Sequence, residues 1–295
     1  MTFTVRGTVV RRVAPRAIAY AALGALAALA LNEGVNVAIG PVAHSLLGIA
    51  LGMLLVFRTN AAYDRYWEGR RRWSEIVASA RNLVRAGACY VGADPRLTAL
   101  VTTYVATLRD QLRGRRDARA ARKDLSDDDA HALGTEAATP LAVAARMSAR
   151  IRDHLVAGEV SPDIGRAMEG YVAQLIEHQS ACERIVGTPM PFAYTAQIRH
   201  LLVVYLVTLP FALVGDLGWM VVPAMAVIAF GLIGIEEAGI EIEEPFGEDE
   251  NDLALDAFCD TVRRDAKLLT DVGAAPPAPL RRGARASTLP TATWG

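Results

Sequence analysis

The sequence predicts an all-α membrane protein with four transmembrane helices and a cytosolic helical bundle, most of it between the second and third spans. Three observations carry that prediction. Mean hydropathy is +0.23 although 21% of the residues are charged. The hydrophobic residues, 52% of 295, gather in four runs instead of spreading evenly. No stretch alternates apolar and polar residues as a half-buried strand does. A disordered chain is excluded, and a wholly soluble globular enzyme does not fit. The net charge of −1 gives no case for nucleic-acid binding. Cys89, Cys182 and Cys259 are too few and too scattered for a disulfide framework or a zinc site.

The first run is Ala17–Leu31, reaching back to Val13, for a span over about 13–31, with Pro15 in its first turn. Arg11, Arg12 and the sequence Ala28-Leu29-Ala30 also fit a signal peptide. A second apolar run follows at once, which favours a span. That run is Pro41–Phe57, whose 17 residues reach about 26 Å at 1.5 Å per residue, enough for most of a hydrocarbon core. Between the two lies a short loop whose one charge is Glu33.

At Arg58 the composition changes. Seven arginines (58, 65, 70, 71, 72, 81 and 85) fall within 28 residues, interleaved with Trp67, Trp73, Ile76, Val77 and Leu83 at helical spacing. This predicts a long amphipathic helix leaving the membrane, ended by Gly92-Ala93-Asp94-Pro95. Further helices are expected at about 96–112, 138–157 and 162–186, with Ser126 as an N-cap and a solvated charged stretch at 113–123. Thr188-Pro189-Met190-Pro191 breaks the helical pattern. The third and fourth spans, about 201–217 and 219–235, form a hairpin with a tight turn at Gly215–Gly218. An acidic segment, 236–256, has ten carboxylates and no lysine or arginine, and it leads into an amphipathic helix to about Thr270. The organisation is therefore one domain over 1–272, with cytosolic helices over 58–198 and 236–272. An Ala/Pro-rich tail, 273–295, is expected to be disordered.

Arginines precede the first span, follow the second and precede the third, whereas the hairpin loops carry only Glu33 and Asp216. The positive-inside rule places both termini and the central domain in the cytoplasm.

Ile49, Met53 and Phe57 recur every four residues and share one face of the second span. On spacing alone this face packs on neighbouring helices. Ringed around an axis in an oligomer, the same stripe becomes an apolar constriction that gates by dewetting. Gly48 and Gly52, a small-xxx-small pair, would let helices close such a ring. The interrupted backbone at Pro189 and Pro191 is either a pore lining or the turn into the third span. The acidic density has the ligand type for Ca²⁺ but not the EF-hand spacing, and it also suits partners for the cytosolic arginines. The five histidines are dispersed, and no nucleophile elbow, phosphate loop or HExxH is present.

The stretch from Phe57 to Arg70, FRTNAAYDRYWEGR, resembles the signature that follows the second span of prokaryotic bestrophins. Leu47–Leu51, Glu183-Arg184-Ile185 with Thr188–Tyr194, and Glu244–Gly247 with Asn251–Leu253 extend the resemblance in the same order over about residues 5–270. The resemblance implies a homopentameric ion channel of the bacterial inner membrane, not an enzyme, with one axial pore for passive monovalent ion flow. It implies a neck of Ile49, Met53 and Phe57, where methionine departs from the usual Ile or Phe and softens the ring. It implies an exit ring at Ile185. Glu248, Asp249, Glu250 and Asp252 match the positions of a Ca²⁺ clasp in animal members. Those members pass anions, whereas the prokaryotic pattern includes cation-selective channels. Glu33 and Asp216 favour cations at the outer entry. Two other functions are weighed: a non-conducting membrane scaffold whose cytosolic helices bind a partner, and a membrane enzyme with a metal in the acidic segment.

Overall fold

The structure is a computed structural model that describes residues 9–115, 125–133 and 139–273. Among the described residues all regular structure is helical: α1 (Val10–Asn32), α2 (Pro41–Tyr90), α3 (Pro95–Leu112), α4 (Asp127–Ala132), α5 (Pro140–Val156), α6 (Pro162–Gly187), α7 (Phe192–Leu217), α8 (Val221–Glu243) and α9 (Leu255–Gly273). The expected tail beyond Gly273, and most of the charged stretch 113–123, lie outside the described residues.

Three helical stretches are long and apolar enough to cross a membrane: Val10–Asn32, Pro41–Tyr90 and Phe192–Glu243. The last contains two antiparallel helices. α7 continues through Asp216 to Leu217, two residues past the point where a turn was expected at Gly215. The chain reverses at Gly218, whose φ of 51° is open to glycine, and a short 3₁₀ turn follows. Pro210 sits within α7. Likewise α1 begins at Val10, so Pro15 lies in its second turn and not its first.

The membrane helices pack at two levels. Ala27, Ala28, Leu209, Val214, Val221 and Met225 meet near the two hairpin turns. Val13, Ala17, Leu51, Leu55, Ile198, Leu202, Leu206, Ala229 and Ile233 meet nearer the arginines. α1 and α8 are the most intimate pair, and Gly24 permits it, because a Cβ there would stand 3.2 Å from Met225 Cγ. The Ile39 amide donates to the Phe211 carbonyl at 2.9 Å, tying the 33–40 loop to the last two turns of α7.

α2 is one unbroken helix of 50 residues, about 75 Å long at 1.5 Å per residue. Neither Pro nor Gly occurs between Met53 and Glu68, so the apolar span passes directly into the arginine-bearing half. That half supplies the spine of a second core. Trp73, Ile76, Ala80 and Leu83 pack against Leu100, Tyr104 and Leu108 of α3, Met147 of α5, Met168, Val172 and Leu175 of α6, and Leu255 and Val262 of α9. Where α2 crosses Pro245-Phe246 it carries Gly69, and a Cβ there would stand 3.0 Å from both rings. The Tyr104 hydroxyl, fully buried, donates within the core to the Leu175 carbonyl at 2.8 Å and lies 2.9 Å from Gln179 Oε1.

The helices outside the apolar spans start on caps that the sequence supplies. Asp94 accepts from the Arg96 and Leu97 amides, Ser126 from Asp129, Thr139 from Ala142 and Ser161 from Ile164. Two carboxylates carry these caps into tertiary structure. Asp94 accepts from Arg150 at 2.9 Å and faces His154 Nε2 at 2.8 Å. Asp129, 1% exposed, accepts from both Arg96 and Arg146. The Arg96 hydrogen bonds, joined by those of Arg146 and Ser126, outweigh burial and hold the Asp129 carboxyl well below the usual carboxylate range.

A carboxyl with a depressed folded-state pKa stabilises the fold above the unfolded value of about 4, and that contribution disappears as pH falls toward the folded value. Asp129→Asn is therefore expected to cost about 3 kcal/mol at pH 7. Thermal melts of the purified protein in detergent should show this as a lowered Tm, with the gap from wild type closing as the pH is taken below about 4.

Candidate functional site: the α2 stripe and the charged lock beneath it

In the isolated chain the second-span stripe is bare. Ile49, Met53 and Phe57 are 65%, 56% and 58% exposed, and Val42 and Leu46 continue the face toward the hairpin loops. The opposite side of the same helix is buried, through Leu51, Leu55, Arg58 and Ala62. This places the bare stripe on the outside of the protomer, with no described helix of the chain laid over it. Gly48 does not serve that face. It receives Tyr205 of α7, whose hydroxyl would stand 2.8 Å from an added Cβ, so this glycine works within the protomer; Gly52 meets nothing within 4 Å.

One residue past Phe57, the helix turns a charge inward. Arg58 is 3% exposed and pairs with Glu236 at 3.3 Å, with Glu243 at 3.8 Å from its other amino group. Arg199 of α7 donates to the same Glu236 oxygen at 3.0 Å. Arg16 of α1 donates to Glu237 at 2.9 Å, and Arg12 reaches Glu237 and Glu241. All four bundle helices thus converge on the first two turns of the acidic segment. Those turns belong to α8, which runs on to Glu243, and do not form a separate linker. The arginine at 58 is a buried ion-pair partner and not a headgroup contact.

Seven residues on, Arg65 makes a second clamp. Its guanidinium donates to the carbonyls of Ile185 at 2.6 Å, Thr188 at 2.7 Å and Glu243 at 3.2 Å. A cation on the free carbonyls of a helix C-terminus satisfies groups that the helix leaves open and suits its dipole. Arg65 does this for α6 and for the end of α8 together. Glu68 pairs with Arg72 at 2.7 Å, and Glu75 takes the other side of Arg72 at 3.0 Å. Spacing alone could not separate Arg58 and Arg65 from the arginines around them. The signal available was their place, one residue and about two turns past the end of the apolar stripe.

Ile185 behaves differently from the stripe. It is 7% exposed and belongs to the core outside the apolar spans, so its side chain does not face solvent as an exit ring would. The exposed residues at the α6–α7 break are Val186–Pro189, Pro191 and Phe192. The four clasp carboxylates also separate. Glu248 pairs with Arg115, and Asp249 lies 3.9 Å from Arg12. Asp252 accepts the Asp249 amide at 2.7 Å within its own turn. Burial, together with the charges of Asp249, Glu244 and Glu241, raises the Asp252 pKa. Among the described residues no three or more His, Cys, Asp or Glu side chains are placed to hold a metal ion together. Glu33 and Asp216 are exposed at the loop side of the bundle.

A helical membrane bundle that carries a bare apolar stripe on its longest helix, locked from below by buried charge, has the parts of a channel subunit. The comparisons with known proteins agree. The profile of the bacterial/fungal bestrophin proteins matches residues 1–267. A voltage-dependent anion channel-forming protein of Nostoc sp. is 35% identical over 286 residues, spanning 92% of this chain and 91% of the relative. A protein of the same description from Mesorhizobium japonicum is 34% identical over 281 residues, 93% and 90% of the two chains. The crystal structure of a bacterial bestrophin homolog from Klebsiella pneumoniae superposes with a TM-score of 0.81 at 28% identity, covering 87% of this chain and 97% of that one. The chain belongs to the bacterial/fungal bestrophin family; it is a membrane protein of the ion-channel class and not an enzyme.

Breaking a buried ion pair by neutralising one partner costs about 3–5 kcal/mol, because the other charge stays buried without compensation. Glu236→Gln leaves the buried Arg58 with only Glu243, at 3.8 Å, as its charge partner. Scanning calorimetry in detergent should find it less stable than wild type by that order, and markedly less stable than a change at the exposed Glu250.

Proposed function

We propose that the protein is a homopentameric channel of the bacterial inner membrane that passes monovalent ions passively along its symmetry axis. Ile49, Met53 and Phe57 form the hydrophobic neck. The observation that carries this reading is the exposure of that stripe on a helix whose other side is fully used. An apolar face of this length is stable in a membrane protein against lipid or against copies of itself. Arranged in a ring, it becomes a narrow path that water leaves readily, which is how apolar constrictions gate. The curated relatives are named for forming anion channels, which supports conduction as the activity.

In this reading α1, the first part of α2, α7 and α8 each cross the bilayer. Arg11, Arg12 and Arg16, the arginines after Phe57, and Arg199 then share the cytoplasmic side with both termini. The cytosolic exit lies at the α6–α7 break, with Val186–Pro189 as its surface and Ile185 packed behind them. The 248–252 turn is a strut and not a Ca²⁺ clasp, since Glu248 is committed to Arg115 and Asp252 to its own turn. The permeant ion is a cation by preference. Glu33 and Asp216, exposed at the entry, support that sign, while the relatives' names speak for anions in those proteins.

Planar-bilayer recordings of the purified protein test the reading. Wild type should conduct, and the triple change Ile49→Ala, Met53→Ala, Phe57→Ala should raise conductance severalfold by widening and wetting the neck. Silence of both proteins from an intact oligomer would favour the non-conducting scaffold.

A further inference from the structure

We propose that Asp64 is the residue that sets ion selectivity, by forming a ring of carboxylates on the pore axis just below the neck. The inference rests on the pentameric channel reading and adds to it the determinant of charge preference. At about 100° per residue, Asn60 and Asp64 fall within about 20° of the direction of Met53, closer to the middle of the stripe than Ile49 or Phe57. Asn60 and Asp64 are both exposed, as the neck residues are. If the neck faces the axis, an unbroken α2 carries Asp64 onto the same side, about 10 Å beyond Phe57 at 1.5 Å per residue.

The charges around it are already committed. Arg58 is buried against Glu236, and Arg65 is held by three carbonyls at the α6–α7 break and the end of α8. Glu68, one turn on, is paired with Arg72. Asp64 makes no ion pair or hydrogen bond to another described side chain, so it is the unneutralised charge nearest the neck on this face. Further along the stripe, Arg71 lies 3.9 Å from Glu68, about another 10 Å from the neck. Five copies turn one carboxylate into a ring, and a ring inside low-dielectric walls focuses its field along the path. Its effect is to gather cations at the neck and turn anions away.

The test is the reversal potential of the purified full chain in planar bilayers under a KCl gradient. Wild type should reverse toward the potassium value. Asp64→Asn should lower the potassium-over-chloride permeability ratio by about threefold or more, and Asp64→Lys should move it further toward chloride. Asp64→Glu should keep the wild-type ratio, and Asp163→Asn, a change at an exposed carboxylate at the start of α6, should leave it unchanged. Wild type itself should lose selectivity when both solutions are raised tenfold at a fixed ratio, because the Debye length falls from about 10 Å at 0.1 M to about 3 Å at 1 M. An unchanged ratio in Asp64→Asn, a wild type that reverses at the chloride value, or, where the variant does not assemble, a wild-type selectivity indifferent to salt each overturns the assignment while leaving the channel intact. Absence of current from assembled wild type overturns both.

Discussion

Arg58 and Glu236, both almost fully buried, meet where the apolar part of α2 becomes its charged part. A guanidinium and a carboxylate removed from water are each unfavourable alone and become tolerable only together. That condition fixes the register between α2 and α8, and through Arg199 it fixes α7 as well. The pairs of Arg12 and Arg16 with Glu237 and Glu241 bring in α1. Because the helices carry no hydrophobic preference for one another over lipid, such polar pairing supplies what shape alone does not: one particular vertical alignment of four apolar rods. The position and facing of the bare stripe follow from it, since Arg58 pointing into the bundle requires Met53 and Phe57 to point out.

The two halves of the molecule divide their work along α2. Above Arg58 the helix gives one side to its own protomer and leaves the other free. Below Arg65 it is the spine of a soluble core built on Trp73, Tyr104, Leu100 and Leu175. A continuous helix joins the two mechanically, and Arg65 fastens that joint to the ends of α6 and α8 through backbone carbonyls. Any displacement of the α6–α7 break would therefore be felt on α2 about two turns below Phe57.

The sequence is most informative where a single periodicity or breaker decides the outcome. The four apolar runs, the break at Thr188–Pro191 and the cap at Ser126 follow from local chemistry, and the spacing of Ile49, Met53 and Phe57 fixes that they share a face but not which way that face points. It is least informative about long polar side chains. Arg58 and Arg71 look alike in a run of arginines, yet one is buried and the other is largely in solvent. Glu236 and Glu250 look alike in an acidic run, yet one closes α8 onto α2 and the other lies in an exposed turn. Gly48 reads as part of a helix-association motif but serves as a seat for Tyr205. Ile185 reads as a ring residue from its motif but is a core side chain.

By itself the sequence determined which segments are apolar, where most of the helices lie, and that Ile49, Met53 and Phe57 share one face of the second span. These are properties of neighbouring residues, set by hydrogen-bond geometry and by the cost of placing charge in hydrocarbon. Only the tertiary structure decided which charges pair, which glycine admits which ring, and that α8 runs eight residues into the acidic segment. Those outcomes depend on contacts between residues as far apart as 58 and 236, and a buried ion pair is favourable only when packing brings both partners to one place.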